Sequence, residues 1–475
     1  MTRRAYTPRG YASAFSDLML SVPRCNAWLP PGLGKTVLTL TVLDFLHNVW
    51  GESAPTLVLA PLRVARDTWP NESAKWAHLA GLDVVSVTGS LEERAAALRR
   101  PAAVYTTNYD VLPWLRDWFK EQGKAWPFRR VIADESTKLK GFRIRQGGVR
   151  AQAMAEVAHT VVKEWVNLTG TPSPNGLKDL WGQQWFVDEG RRLGRTFSAF
   201  EQRWFAMKPH HPGAQYGTTI VMPGADEQIH ARLADCTLAI DPRDWFDLKE
   251  PIVNVIEVTL PASARKKYRE LEKEMFTRLE SGEEVEVFNA AGLTNKCLQC
   301  ANGAVYLDVE RYGTEGGEPK AIEVHDAKLD ALESLLNDLA GASLMVAYHF
   351  RSDLARLQRT FPEGVDLATP EGLHAFRTGE ARLGFGHPAS IGHGIDGLQN
   401  VCNAIAFFAQ DWNLETHDQI IERIGPVRQM QAGLDRPVFI HYLVAKGTLD
   451  EVVMARRTSK RGVQDLLMSY MKEQR

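Results

Sequence analysis

The sequence lacks the features that mark secreted, membrane-spanning or strongly basic proteins. No stretch approaches the roughly 18 consecutive apolar residues that a membrane-spanning helix needs. The basic residues at positions 1–10 are not followed by an apolar segment, so they do not form a secretory signal. The 5 cysteines are scattered and odd in number, which suits a reducing compartment. We therefore predict a cytoplasmic protein that is neither secreted nor membrane-bound.

An excess of charge of either sign is also missing. The formal net charge is −2, so no global positive field points to a nucleic acid, and any such site has to be a local one. The hydrophobic fraction of 44% is ordinary for a globular protein. A chain of 475 residues exceeds the size that a single core usually fills, which predicts two or three domains.

Short apolar segments alternate with helical patterns in two regions of the chain. This alternation predicts an α/β fold with parallel sheets that are covered on both faces. Between the two regions, residues 177–240 hold aromatic residues at roughly helical spacing with little strand pattern, and residues 262–300 read as helical and highly charged. The predicted strands are Cys25–Leu29, Thr56–Pro61, Ala102–Thr107, Val131–Glu135, Val166–Thr171, Ser343–His349, Ala381–Phe385, Asn403–Ala409 and Val438–Val444.

The segment AWLPPGLGKTVLTL, residues 27–40, has the order strand, glycine-rich turn and helix that a phosphate-binding loop requires. Leu29 stands where the full pattern has its first glycine. Backbone N–H groups at the start of the helix suit phosphates, Lys35 suits the outer phosphates, and the Thr36 hydroxyl suits Mg²⁺. The predicted nucleotide-binding residues here are Pro31, Gly32, Leu33, Gly34, Lys35, Thr36 and Val37.

Two carboxylates end a predicted strand about 100 residues later, in VIADEST (131–137). Parallel strands bring their carboxyl ends to one edge of a sheet, so this pair is expected close to the phosphate loop. We predict that Asp134 holds Mg²⁺ through water and that Glu135 orients or deprotonates the attacking water. Lys35, Asp134 and Glu135 are therefore candidate catalytic residues, and Thr36 and Asp134 are candidate metal ligands.

These motifs and those that follow resemble the Swi/Snf-like DNA-dependent ATPases of helicase superfamily two, which have two RecA-like lobes. DEST stands where that family has DEAH, and the compact chain is most similar to bacteriophage or prophage members. The resemblance covers nearly the whole chain in the right order. The matching segments are GLGKT (32–36, motif I), LVLAPLRVARDTWPNE (57–72, motif Ia), VYTTNYDVL (104–112, motif Ib), DEST (134–137, motif II), LTGTPSPNG (168–176, motif III), SLMVAYHFRSDLARL (343–357, motif IV), SIGHGIDGLQ (390–399, motif V) and QIIERIGPVRQ (419–429, motif VI).

The resemblance implies functions for further residues. It implies that ATP and Mg²⁺ are the cofactors and that Gly394, Asp396 and Gln419 take part in nucleotide binding. Arg423 matches the first arginine of motif VI, and Arg428 lies two places beyond the expected second, with Pro426 between them. Both arginines are candidate catalytic residues. Candidate nucleic-acid contacts, all suited to phosphates rather than bases, are Pro61, Arg63, Thr106, Asn108, Thr169 and Ser390.

The predicted organisation follows from the same resemblance. Residues 1–176 are expected to form the first RecA-like lobe, and residues 326–475 the second lobe with a C-terminal brace helix. Residues 177–325 are expected to hold helical protrusions, a linker and the last strand of the first lobe.

The glutamine that the family uses to read adenine is missing near residues 7–11. Cys297 and Cys300 have the spacing of metal ligands, but no second pair exists, which favours a buried apolar turn.

The leading hypothesis is an ATP-dependent DNA translocase or helicase that acts on duplex DNA without sequence preference, as a monomer in a bacterial or phage-infected cell. A phage nuclease or replication protein is a candidate partner. Two alternatives stay open at this point. One is an ATP-gated clamp that binds nucleic acid with little turnover, because motif VI is altered. The other is an RNA helicase of the same superfamily.

Overall fold

The computed structural model describes residues 3–145, 148–209, 217–280, 287–307, 314–315, 318–392 and 395–459. The chain divides into two compact units, Met1–Asp247 and Leu248–Arg475. The division falls inside residues 177–325, which the sequence analysis assigns to helical protrusions, a linker and the last strand of the first lobe. Among the described helices, none is both long enough and apolar enough to cross a membrane.

The first unit is built on a seven-stranded parallel sheet with the strand order β3-β4-β2-β5-β6-β1-β9. All residues of its central strands are buried, as expected when helices cover both sides of a parallel sheet. The strands of this sheet are β1 (Arg24–Trp28), β2 (Thr56–Ala60), β3 (Val84–Ser86), β4 (Val104–Asn108), β5 (Arg130–Asp134), β6 (Glu164–Thr169) and β9 (Thr237–Ala239).

Nine α-helices in the described part of this unit surround the sheet. They are α1 (Ala12–Ser21), α2 (Lys35–Asp44), α3 (Trp69–Lys75), α4 (Leu91–Arg99), α5 (Leu112–Glu121), α6 (Val149–Ala158), α7 (Asp179–Asp188), α8 (Phe197–Trp204) and α9 (Ala225–Leu233). Large aromatic side chains, among them Trp165, Trp181 and Trp204, fill the core between α7, α8 and the sheet. The predicted aromatic core of this region is thus observed.

The spacing of Leu38, Val42, Phe45, Leu46 and Val49 in the sequence predicts one apolar helix face after the phosphate loop, and this face is only partly buried. Leu38, Val42 and Leu46 are buried, but Val49 is 66% exposed. The reason is a π-helical turn at Phe45–Val49, which inserts an extra residue and rotates the following side chains off the face.

Strands occur where the sequence predicted almost none, between residues 177 and 240. The strands β7 (Phe205–Pro209) and β8 (Gly217–Val221) form an antiparallel pair, and β9 extends the main sheet beside β1. The prediction of little strand in this segment therefore missed the pair β7–β8, whereas a last strand of the first lobe was expected within residues 177–325. A three-residue strand such as β9 is too short to show a periodicity of two in the sequence.

The second unit contains a six-stranded parallel sheet with the order β10-β19-β18-β15-β17-β16. Its strands are β10 (Ile252–Val258), β15 (Leu344–Ala347), β16 (Val365–Asp366), β17 (Leu383–Gly386), β18 (Ala404–Phe407) and β19 (Phe439–Ala445). Short strands outside this sheet are β11 (Ala304–Tyr306), β12 (Thr314–Glu315), β13 (Glu318–Pro319) and β14 (Ala321–Glu323).

Helices pack around the second sheet and form three buried apolar clusters with it. They are α10 (Ala262–Glu280), α11 (Val287–Asn302), α12 (Ala327–Asp338), α13 (Arg351–Thr360), α14 (Pro370–Thr378), α15 (Pro388–Ile391), α16 (Leu398–Val401), α17 (Leu414–Ile421), α18 (Pro426–Gln431) and α19 (Leu449–Ser459). Two parallel sheets with helices on them match the predicted α/β class with RecA-like lobes.

The Cys-x-x-Cys pair lies in α11 and belongs to a buried apolar cluster. Cys297 is 1% exposed and Cys300 is 0% exposed. Burial raises the pKa of the Cys300 thiol to about 11, so it stays protonated and is a poor metal ligand. In the part of the chain that the structure describes, no group of three or more His, Cys, Asp or Glu side chains is placed to hold a metal ion.

Candidate active site

Three motifs of the first unit leave the sheet at the same edge. The strands β5, β6 and β1 are neighbours, and the register pairs Asp134 with Leu168 and Thr169 with Trp28. The phosphate loop therefore follows β1, the acidic pair ends β5, and motif III follows β6, all at the carboxyl ends of parallel strands. This edge is where ligands bind in open α/β sheets.

The phosphate loop dispenses with its first glycine because that position continues a strand. Leu29 is fully buried, and its N–H donates to the Thr169 carbonyl at 3.0 Å, which extends the β1–β6 ladder by one residue. The two later glycines do adopt conformations that suit only glycine well, with φ of 87° at Gly32 and 75° at Gly34. The Tyr11 hydroxyl donates to the Leu33 carbonyl at 3.0 Å and fixes the loop from outside.

Lys35 is the first residue of α2 and lies over the loop. Its Nζ donates to the Leu29 carbonyl at 2.7 Å, so the lysine side chain reaches from the start of α2 back to the residue that follows β1. Burial raises the pKa of the Asp134 carboxyl group, and the positive charge of Lys35 partly offsets that effect. Thr36 follows it in the first turn of α2 and is half-buried. The lysine and the acidic motif thus share one electrostatic environment.

Asp134 is a buried carboxylate at the end of β5. Burial, and after it the neighbouring charge of Glu135, raise the pKa of Asp134 against the opposing effects of Lys35 and Trp69, and the net result is a pKa of about 6. The indole Nε1–H of Trp69 donates to Asp134 Oδ2 at 2.9 Å. A buried carboxylate with few partners is suited to a divalent cation, because a cation would compensate the charge that burial penalises.

Glu135 adopts a left-handed backbone conformation, with φ 55° and ψ 56°. For a residue with a side chain this costs about 1–3 kcal/mol, and such strain persists only where the surroundings enforce it. The hydroxyl of Tyr109 donates to the Asp134 carbonyl at 2.9 Å and supports the peptide before the strained residue. The side chain of Glu135 is half-buried at the sheet edge, where a water-activating carboxylate is needed.

Motif III packs directly against the phosphate loop. A Cβ added to Gly170 would lie 2.6 Å from Pro31 Cδ, 3.1 Å from Pro30 Cα and 3.2 Å from the Leu29 oxygen. Only glycine permits this approach, so the position of motif III and that of the loop are coupled. Thr169, a predicted nucleic-acid contact, is fully buried here, and its Oγ1 accepts from the N–H of Thr171 at 3.2 Å.

The other predicted nucleic-acid residues of this unit differ in accessibility. Pro61 and Arg63 follow β2 and are half-buried, and Asn108 ends β4 with its Nδ2 donating to Asp110 at 3.3 Å. Thr106 is fully buried, and its hydroxyl donates to the Ala65 carbonyl at 2.6 Å. The Thr106 side chain therefore fixes the segment after β2 and offers no surface to a phosphate.

The predicted residues of the second unit lie after β17 and around α17 and α18. Ser390 is exposed in α15, whereas Gln419 is buried in α17. Gly394 lies outside the described residues. Arg423 is buried; its Nη1 donates to the Ile395 carbonyl at 3.0 Å, and its Nε donates to the Gln419 carbonyl at 3.4 Å.

Arg428 forms an ion pair with Asp396, so motif VI contacts motif V within this unit. From the sequence alone, a proline at position 426 favours a helix break followed by a loop that carries Arg428. The structure corrects this expectation: Pro426 is the first residue of α18, and Arg428 lies inside that helix. Proline fits the first turn because its missing N–H has no partner in the helix there and its φ is already helical.

Three residues that support the site were not predicted from the sequence. Trp69 contacts Asp134, Tyr109 holds the peptide after it, and Gln183 of α7 binds the serine that follows Glu135. Trp69 and Tyr109 lie within segments that the motif comparison already delimited, so their position was a usable signal. Gln183 carries no such signal, because a glutamine in an aromatic helix has no motif around it.

Comparisons with known proteins agree with this geometry. The family model described as the SNF2-related domain matches residues 30–299. A putative protein, p41, of Acyrthosiphon pisum secondary endosymbiont phage 1 is 52% identical over 472 residues, which are 99% of this chain and 99% of p41.

More distant relatives are longer proteins. A probable ATP-dependent DNA helicase of Arabidopsis thaliana, CHR12, is 24% identical over 459 residues, which are 91% of this chain but only 39% of CHR12. Among solved structures, the Hef helicase domain of Pyrococcus furiosus covers 95% of this chain and 98% of its own, with a TM-score of 0.50 and 15% identity. That similarity concerns the fold. The resemblance inferred from the order of the motifs is confirmed.

Proposed function

Because this chain belongs to the SNF2-related domain family and is an ATP hydrolase of the helicase-like type, we propose that it couples ATP hydrolysis to movement along duplex DNA. The observation that carries the proposal is the convergence of motifs I, II and III at one sheet edge. There Lys35 lies over the phosphate loop that follows β1. Asp134 and Glu135 lie at the end of β5, which is separated from β1 by β6 alone. The relative CHR12, named as a probable ATP-dependent DNA helicase, supports DNA as the polymer.

The proposed roles follow from the position of each side chain. Lys35 exchanges its bond to the Leu29 carbonyl for one to the outer phosphates of ATP. Glu135 accepts a proton from the attacking water, or orients it, from a backbone held in a fixed conformation. The glycines at 32 and 34 carry no side chain, which lets phosphate oxygens approach the backbone of the loop.

Mg²⁺ is the proposed metal, and the residues present fit it. The buried carboxylate of Asp134 and the hydroxyl of Thr36 are oxygen ligands of the kind that this ion prefers. When bound, Mg²⁺ would neutralise charge on the phosphate oxygens. Asp134 would hold the ion through water, which matches its position at the strand end.

Recognition of DNA is proposed to be independent of base sequence. Pro61, Arg63, Asn108 and Ser390 are the proposed contacts that the structure leaves at least partly accessible or at a strand end. Such residues suit the sugar–phosphate backbone, and backbone contacts carry no base readout. The monomeric state and a phage nuclease or replication protein as partner remain proposals; the similarity to p41 of a phage motivates the latter.

The first test is steady-state ATP hydrolysis at one salt concentration with no polymer, single-stranded DNA, duplex DNA and RNA. We expect the largest stimulation with duplex DNA. Equal turnover under all four conditions would refute a polymer-coupled ATPase and favour the clamp, and preferential stimulation by RNA would favour the RNA helicase. Random and defined duplexes of equal length should stimulate alike.

Movement itself needs a separate measurement. A third strand annealed to a duplex is displaced by a protein that moves along that duplex, whether or not the duplex strands separate. We expect displacement that requires ATP hydrolysis and is lost in Glu135→Gln. Hydrolysis stimulated by duplex without any displacement would leave the ATPase intact and refute translocation. DNA affinity should also fall steeply with salt, because phosphate contacts release counterions.

A further inference from the structure

We propose that Gln183, in the helix after motif III, is a positioning residue that holds the strained Glu135 in its water-activating geometry through Ser136. The inference rests on ATP hydrolysis at the site described above and not on movement along DNA. It starts from the contacts of one buried amide. Gln183 is 4% exposed and Ser136 is 0% exposed, so neither side chain can exchange these bonds for bonds to bulk water.

All the hydrogen-bonding capacity of the Gln183 amide nitrogen is used within the fold. Its Nε2 donates to the Pro172 carbonyl at 2.7 Å and to the Asp179 carbonyl at 2.9 Å. Carbonyl oxygens only accept, so the amide nitrogen has to face them and the amide oxygen has to face the other way. There Oε1 accepts the hydroxyl proton of Ser136 at 2.7 Å. One side chain thus ties motif II to motif III.

The contact acts on the residue that needs enforcement. Ser136 directly follows Glu135, whose left-handed conformation is unfavourable unless the surroundings maintain it. Ser136 is also the first residue of the short 3₁₀ helix Ser136–Leu139. A bond that anchors the side chain of Ser136 therefore restrains the peptide next to Glu135 and with it the direction of the carboxylate.

The backbone of α7 supports the same turn. A Cβ added to Gly182 would lie 2.5 Å from the Leu139 carbonyl oxygen and 2.6 Å from that of Lys140. The helix thus approaches the turn as closely as glycine allows, which places Gln183 within reach of Ser136. The Gln183 carbonyl in turn accepts from Asn167 Nδ2 of β6 at 3.1 Å, so the anchor is itself fixed to the sheet.

Gln184 provides a matched control one residue away. It is also buried, at 3% exposure, but its amide contacts Asn26 Nδ2 at 2.9 Å and Asp188 Oδ2 at 2.7 Å and has no hydrogen bond to Ser136 among those of the described residues. Replacing either glutamine by methionine keeps the volume and removes one buried amide. Any general cost of losing a buried polar network should therefore be similar in the two variants.

The test measures kcat, the KM for ATP, the affinity for an ATP analogue and the melting temperature of Gln183→Met, Ser136→Ala, the double variant and Gln184→Met. We expect a roughly 10-fold to 100-fold fall in kcat in Gln183→Met and Ser136→Ala, the size that small misplacements of a catalytic group produce. KM and analogue affinity should change less than threefold. The double variant should lose no more than the worse single variant, because both remove the same bond. Gln184→Met should melt at a similar temperature with kcat unchanged.

Two results would overturn the inference. One is an unchanged kcat in both Ser136→Ala and Gln183→Met, which would show that Glu135 holds its geometry without this bond. The other is an equal fall of kcat in Gln184→Met, which would assign the effect to general loosening of the core. If wild-type protein failed to hydrolyse ATP at all, the proposed function would fail instead, and the two failures are distinguishable.

Discussion

Leu29 illustrates how one residue can be exchanged in a phosphate loop without loss of the loop. A glycine is needed where the backbone takes a positive φ or where another backbone approaches closely. At position 29 neither condition holds, because the residue extends β1 and buries its side chain completely. At positions 32 and 34 the first condition holds, and glycines are present. The departure from the full motif is therefore confined to the residue that can tolerate it.

Lys35→Ala should reduce ATP hydrolysis below detection, with or without DNA. The substitution removes the cation that faces the outer phosphates, and no other lysine lies in the loop. A steady-state ATPase measurement checks this, with Lys138→Ala as the control because Lys138 is an exposed lysine in the turn after motif II. Turnover near the normal rate in Lys35→Ala would show that the loop is not the nucleotide site.

Glu135→Gln should bind ATP normally and fail to turn it over, because an amide cannot accept the proton from water. The two side chains have the same size and face the same left-handed backbone cost, so the melting temperature should stay close to that of the wild type. Binding of a fluorescent ATP analogue and steady-state hydrolysis measure the two effects. If binding fell together with turnover, the acidic pair would have a structural role.

Sequence reasoning at the residue scale yields candidate site residues where a residue type and a motif position coincide. Lys35, Asp134 and Glu135 were assignable because their charge and spacing match a required chemistry, and the structure brings Lys35 and Asp134 into electrostatic contact. Thr106 was misjudged because a threonine in a motif gives no sign of which way its side chain points from the strand. Gln183 was missed because its partners are distant in sequence, and no local pattern encodes them.

At the scale of elements, motif III acts as a spacer for the phosphate loop. Gly170→Ala should destabilise the first unit by about 1–3 kcal/mol, the usual cost of overpacking, and should weaken ATP-analogue binding. The added methyl group meets Pro30 Cα and the Leu29 oxygen, which are backbone atoms and cannot rotate away. Urea denaturation and an analogue titration are the measurements. Gly141→Ala, with no atom within 4 Å of the added Cβ, is the control expected to change neither.

In motif VI, Arg428 lies in a helix, whereas the sequence favoured a loop at this position. Since Arg428 lies in α18 and pairs with Asp396, its position is defined within the second unit and does not depend on a loop. Arg423→Ala and Arg428→Ala should still each reduce DNA-stimulated hydrolysis by about 10³-fold, with far smaller changes in ATP affinity, if both offset charge on the phosphates. Arg423→Ala should also lower the melting temperature, because the Ile395 carbonyl loses its buried donor.

The measurement for both arginines is the stimulated rate alongside analogue affinity and thermal melting. Near-normal stimulated turnover in Arg428→Ala would show that the arginine serves only its ion pair with Asp396. Arg423→Lys separates charge from geometry, because lysine keeps the positive charge but cannot reproduce the two hydrogen bonds of the guanidinium group.

Elements were predictable in proportion to their length and burial. Strands β1, β2, β5 and β6 were found within two residues because the inner residues of each strand are mostly apolar and buried. The strand β10 was not among the predicted strands, although it is seven residues long, because its first four residues are exposed and its sequence shows no clean alternation of apolar and polar residues. Helix phase was lost where a π-helical turn followed α2.

At the scale of the whole molecule, the chain consists of two units that each have their own core. The buried cluster of the first unit runs from Leu57 to Cys236, and those of the second unit lie between Val258 and Val453. Each unit also has its own parallel sheet. A fragment that ends at Asp247 therefore retains a complete sheet, a complete core and motifs I to III, which is what independent folding requires.

We predict that the fragment Met1–Asp247 unfolds cooperatively, binds an ATP analogue, and hydrolyses ATP slowly at a rate that duplex DNA does not increase. The phosphate loop and the acidic pair are present, but Arg423 and Arg428 are absent, and without an arginine to offset charge on the phosphates the rate should fall by about 10³-fold or more from the stimulated rate of the full chain. Circular dichroism, analogue titration and hydrolysis with and without duplex measure the three properties. The same fragment with Lys35→Ala is the control for specific binding. DNA-stimulated turnover of the fragment at the rate of the full chain would show that residues 248–475 contribute nothing to the chemistry, and the roles proposed for motif VI would have to be abandoned.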